Sequence, residues 1–174
     1  MIDPVAKAVE LGAEEATFID PQDVVTAPWV RLKCRFGCDG YGECRTCPPH
    51  SPPPDETRRL LDGYRKAVLL KVGPHTGYDE SGTWSARVRR AATTLERELF
   101  LDGRHRAWSL GCGPCEECEE CDMSVPCIHP EQARPSMEAA GIDVFSTVRN
   151  AGWQIHTVRS HDDDYSFFSL VLVD

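Results

Sequence analysis

Apolar positions along the chain change rhythm several times. After Asp3-Pro4, a cap and a first-turn proline, Val5, Ala8, Val9 and Gly12 fall on one stripe, which predicts a short N-terminal helix. Residues 15–33 have no steady period, with Pro21 and Pro28 as breakers, although residues 30–33 alternate and could form a strand. The tract Pro48-Pro49-His50-Ser51-Pro52-Pro53-Pro54 excludes helix interior and central strand. Asp55 then caps a helix that turns Leu60, Leu61 and Tyr64 inward. Residues 67–72 (Ala-Val-Leu-Leu-Lys-Val) read as a buried strand, and residues 73–82 as a polar turn. Trp84, Val88, Ala91, Leu95 and Leu99 recur at three or four residues, so residues 83–102 predict a long amphipathic helix ended by Gly103. Strands are expected at residues 105–110, 154–159 and 167–173, the last two joined by a turn at His161-Asp-Asp-Asp164. A helical region over residues 136–150, interrupted near Gly141, precedes them. Four strands interleaved with helices give an α+β class: a mostly antiparallel four-stranded sheet packed with helices, in one domain over residues 1–174.

Charge narrows the partners. A net charge of −9 disfavours nucleic acid and anionic membrane surfaces, both of which recruit Lys and Arg. No apolar run reaches the roughly 18 residues of a membrane span, and the N-terminus lacks the basic and apolar regions of a signal peptide. The expected location is therefore the cytoplasm. In that reducing compartment nine cysteines read as metal ligands or catalytic groups, and an odd count does not suit a paired disulfide framework.

All nine of these cysteines lie in two loops, residues 34–47 and 112–127. In the second, Cys115, Cys118 and Cys121 form C-x2-C-x2-C, with Cys127 five residues on and Pro130 beyond it. Ferredoxin-type loops use closely spaced thiolates and a further cysteine to hold a cubane cluster. Zinc is the competing metal, although its structural sites usually pair two separated knuckles. Cys112 is a fifth thiol in this loop: a free thiol, an alternative ligand, a nucleophile or a small buried side chain. Glu116, Glu117, Glu119, Glu120 and Asp122 surround the loop with negative charge. Such charge lowers a cluster's potential and offers an acidic patch to a basic face on a redox partner. The first loop carries Cys34, Cys38, Cys44 and Cys47 at spacings of three, five and two, with glycines that let the backbone wrap a bulky ligand. It too suits iron–sulfur or zinc. Tyr41 packs or hydrogen-bonds a cluster sulfur, and His50 and His129 lie just past the two loops as exposed residues or ligands.

The combination of Cys34-x3-Cys38, Tyr41-Gly42, Cys47-Pro-Pro, the second-loop cysteines through Pro130, and Arg134-Pro-Ser-Met-Glu138-x2-Gly141-Ile-Asp-Val144 resembles a family of predicted metal-binding proteins known mainly as a domain of unknown function. The resemblance runs from about Lys33 to the C-terminal strands. It implies metal or iron–sulfur binding and supplies no reaction. Seven cysteines match its pattern, while Cys44 and Cys112 depart from it.

That departure divides the expectations. With Cys44 as a ligand the first site is closed, and the chain reads as a carrier of two [4Fe-4S] clusters in electron transfer. Without it, one iron stays open, and an open metal can act as a Lewis acid on a sulfur-containing or hydroxylated small molecule. Arg134, Ser136 and Glu138 then become candidates for binding that substrate or an anion, against the plainer roles of Ser136 as a cap and Arg134 as partner of a carboxylate. A third reading is a non-catalytic zinc protein. No radical-initiating C-x3-C-x2-C loop, dinucleotide fingerprint, P-loop or nucleophile elbow is present.

Overall fold

The computed structural model describes residues 1–76 and 80–174. In chain order it places helix α1 (Pro4–Glu10), strand β1 (Glu15–Ile19), helices α2 (Pro28–Gly37) and α3 (Pro54–Leu61), strand β2 (Ala67–His75), helix α4 (Ser81–Leu101), strand β3 (Trp108–Leu110), helix α5 (Val144–Asn150) and strand β4 (Tyr165–Leu172). The four strands form one sheet in the order β1-β2-β4-β3, antiparallel throughout, which bears out the α+β class.

The two central strands are apolar on both faces because both faces are covered. Val68, Leu70, Val72 and Val171 pack with α4 residues Val88, Ala91, Leu95 and Leu99 and with Ala8 of α1. On the other face Ala67, Leu69, Leu170 and Leu172 meet Leu61 of α3, Met137, Ile142 and Val148 of α5. Each fully buried Val or Leu here contributes about 1.5–3 kcal/mol.

Several expected elements change. Residues 30–33 are helix, not strand. Pro28 starts α2 instead of breaking it, at the position where proline suits a helix. A strand would place Val30 and Leu32 on one face, yet Val30 is 5% exposed and Leu32 55%. β1 lies in the stretch that read as irregular. It is an edge strand whose Phe18 faces outward and Ile19 inward, too mixed to show a period.

Residues 154–159 do not join the ladder; Trp153 and Ile155 lie on the second core instead, so their alternation reflects packing on a sheet face. β2 continues past residue 72 through Gly73, which takes φ +109° where the register with β4 shifts. That stretch belongs to the expected turn 73–82, of which residues 77–79 lie outside the described residues. β3 is shorter than expected, and Asp143 caps a helix confined to Val144–Asn150. The turn at residues 161–164 holds, with Asp163 accepting from the Arg159 and Ser160 amides at 2.6 and 3.2 Å.

The proline tract packs across residues 139–141. Ser51 and Thr57 hydroxyls donate to the Ala139 and Ala140 carbonyls at 2.6 Å each. Gly141 has φ +77°, and a Cβ there would meet Pro54 at 2.5 Å, so only glycine fits. This junction fixes the first cysteine loop against the segment that carries Glu138. Among the described residues no helix is long and apolar enough to cross a membrane.

Candidate metal centre

All nine cysteines are free thiols, and the fold sorts eight of them differently from the two loops of the sequence. Cys34 sits on the last turns of α2, which ends at Gly37 and releases Cys38 into a tight series of turns. Backbone bonds from Tyr41 N to Cys38 O, Gly42 N to Pro48 O and Cys47 N to Cys44 O fold this loop on itself. A side chain built at Gly40 would lie 3.7 Å from Cys38 Sγ and 3.9 Å from Cys47 Sγ, so those thiols converge over a bare backbone. Burial pushes the Cys47 thiol up to about 11, and the neighbouring Cys44, Cys38 and Cys34 add to it. Burial and then Cys38 raise Cys34 in the same way. Cys34, Cys38 and Cys47 thus form one set.

Cys44 turns toward the other loop. It lines a cavity of about 90 Å³ together with Cys115, Cys118, Cys121 and Cys127. Burial raises its thiol, but the Thr46 hydroxyl at 3.3 Å and the Thr46 amide outweigh burial and lower it, with Cys121 and Cys47 acting in the same sense. Cys115 and Cys118 in turn are raised first by burial and then by surrounding thiols, Cys44 among them. The next residue, Arg45, ties the loops together. Its guanidinium donates to the Met123 carbonyl at 2.9 Å, to Asp122 O at 3.4 Å and to Val125 O. Five thiols therefore line one hollow, while Cys34, Cys38 and Cys47 gather within the first loop. Cys44 lies next to Cys47, where the two sets meet.

The loop's acidic residues are not equivalent. Glu116 pairs with Arg89 of α4, which also donates to the Cys112 carbonyl at 3.3 Å. Asp122 folds back on Ser124, whose hydroxyl and amide hold its carboxyl below the usual range. Glu117 and Glu119 line the five-thiol cavity, as does His129. His50 is exposed and Tyr41 half-buried.

The motif residues past the second loop diverge. Arg134 is engaged in the fold: Nη2 donates to Glu96 Oε1 at 2.6 Å and Nε to Oε2 at 2.9 Å, while its guanidinium covers Trp108 at 4.4 Å. Ser136 accepts from the Ala139 amide at 3.0 Å and so caps a turn. Glu138 is different. The residue is half-buried, but its Oε2 is inaccessible and without a hydrogen-bond partner. Burial raises its carboxyl above the ordinary range, against its own backbone N–H and the Ser136 hydroxyl. It lies within electrostatic reach of both Cys34 and Cys112. Cys112 itself stands apart from both thiol sets. It is 6% exposed, donates weakly to Ser85 O at 3.6 Å, and is pushed up to about 12, chiefly by burial.

The donor chemistry fits a thiolate-bound metal. Thiols crowd one another, and burial together with mutual repulsion keeps several protonated. Bound cations would offset that repulsion and favour the thiolates. Among the described residues no group of three or more His, Cys, Asp or Glu is arranged to hold a single metal ion. The chain belongs to the family described as predicted metal-binding protein (DUF2284), whose sequence model matches residues 17–173. We found no significant match among curated proteins or among solved structures.

Proposed function

We propose that this metal-binding protein is a two-site iron–sulfur protein, with the five-thiol site serving electron transfer and the three-thiol site open to a small molecule. The observation that carries the reading is the placement of Cys44 with the second loop. It leaves Cys34, Cys38 and Cys47 one thiol short of the four that cap a cubane, while the other site has one more than it needs. The hollow among the five thiols, about 90 Å³, also favours a cluster over zinc. A single tetrahedral zinc draws its sulfurs to about 2.3 Å and leaves no such space.

When bound, the clusters would supply one-electron transfer at the closed site and Lewis acidity at the open one. The chain's own contribution is positioning. Arg45 fastens Cys44 to the second loop, and the Glu96–Arg134 pair anchors the segment that follows it. Cys34 lines a large cavity that also receives Glu138 and Cys112, so a molecule entering there meets one thiol of the three-thiol set. Exposed Glu119 and Glu120 leave an acidic rim for a redox partner with a basic docking face.

Iron and acid-labile sulfide in anaerobically purified protein test the reading. Two cubanes give about eight of each per chain and a brown protein. Colourless protein that holds stoichiometric zinc after anaerobic reconstitution with iron and sulfide overturns it.

A further inference from the structure

The cavity beside Cys34 has a volume of about 770 Å³, within the range of small-molecule sites. Its walls are aromatic: Trp29 from α2, Phe145 from the start of α5, Trp153 from the chain after it, and Phe168 from β4. Of its charged groups Lys33, Lys71 and Asp143 are already engaged, and Asp164 is exposed. Lys71 binds Glu15 at 2.6 Å, Lys33 lies 5.1 Å over the Trp29 ring, and Asp143 caps α5 through the Ser146 amide at 3.1 Å. Glu138, which lines this cavity with Cys34 and Cys112, carries a buried oxygen, Oε2, that has no hydrogen-bond partner among the described residues.

A buried oxygen without a partner costs about 1–3 kcal/mol, which a ligand's donor recovers when the carboxyl turns toward the cavity to meet it. Flat apolar walls supply stacking and burial. An anionic ligand would bring like charge to the Glu138 carboxyl. A cationic one would meet Lys33 and Lys71. A neutral molecule with an aromatic body and one donor satisfies all of these conditions.

We propose that this cavity binds a neutral aromatic alcohol of about two rings, its hydroxyl donating to Glu138 Oε2 beside Cys34. The proposal names the substrate class of the open site and rests on that reading for its chemical purpose, though not for binding itself.

Ligand-observed NMR on the purified full-length protein, with iron content measured on the same samples, tests it. The probes are 2-naphthol, naphthalene, which lacks the donor, and 2-naphthoate, which adds a negative charge. The expected result is binding of 2-naphthol at least about tenfold tighter than either of the others. Glu138→Met should weaken 2-naphthol about tenfold and leave naphthalene unchanged. Trp153→Ala, at a half-buried wall position, should weaken both and serves if Glu138→Met fails to fold. Equal affinity for 2-naphthol and naphthalene overturns the proposal, as does unchanged 2-naphthol binding in Glu138→Met or in Trp153→Ala. Iron-loaded protein that binds no 2-naphthol overturns the substrate class alone. Selective 2-naphthol binding by protein that takes up no iron supports the cavity and overturns the two-site function.

Discussion

Glu96→Gln tests how the second loop is anchored. Glu96 projects from α4, and its side chain and that of Arg134 are each 12% exposed. Its carboxylate accepts five bonds: from the Ser109 amide at 2.8 Å, the Ser109 hydroxyl at 2.6 Å, Arg134 Nη2 at 2.6 Å, and Arg134 Nε at 2.9 Å to one oxygen and 3.3 Å to the other. Glutamine keeps the shape but removes the charge, and its NH2 turns a donor toward other donors. Breaking a buried pair from one side costs about 3–5 kcal/mol, because the remaining charge stays buried without its counter-ion. At a urea slope of about 1–3 kcal/mol/M, the unfolding midpoint should fall by at least about 1 M. The assay is anaerobic urea unfolding with iron content matched between variants. Glu96→Gln combined with Arg134→Met removes both charges while keeping an acceptor for Ser109, and should lose less than Glu96→Gln alone. An unchanged midpoint in Glu96→Gln, or a double variant worse than the single one, would refute the anchoring role.

Glu14 provides a pH signature away from the cysteines. Burial pushes its carboxyl up, but the Gly73 amide at 2.8 Å, His75 and Arg87 outweigh burial and hold it below 4.5. A folded-state value below the unfolded one adds stability above the unfolded value and loses it as pH falls through the folded value. Glu14→Gln should therefore unfold at lower urea than the parent at neutral pH, with the gap closing below about pH 5; a gap that stays constant contradicts this. Cys112 should resist chemistry, because the thiolate is the reactive form and burial keeps this thiol protonated. Peptide mapping after iodoacetamide treatment at neutral pH should show Cys112 modified at least about a hundredfold more slowly in the folded than in the unfolded protein; comparable rates would place it in an open, activated site.

The central strands and α4 were legible because their apolar residues follow one clear rhythm, continuous in β2 and β4 and spaced by three or four in α4. β1 was not legible, since an edge strand with one buried side in five residues carries almost no pattern. α2 was misread because Val30 and Leu32 alternate in sequence while facing different surroundings in space. Cysteine spacing located both loops, but spacing reports neighbours within a loop. The partition of their thiols is made by Arg45 reaching carbonyls of residues 122, 123 and 125, a long-range contact that no local motif encodes. Glu138 was legible as a motif residue. Its isolation from Arg134 was not, because Arg134 finds its carboxylate on α4, 38 residues away.

Iron content and EPR of the reduced Cys44→Ser and Cys47→Ser variants, compared side by side, test the three-plus-five partition most directly. Cys47→Ser should lose about half of its iron and the signal of the first site. Cys44→Ser should leave that signal intact and alter only the signal of the second-loop site. Loss of the same signal in both variants would put Cys44 in the first site, close its open position and contradict the partition.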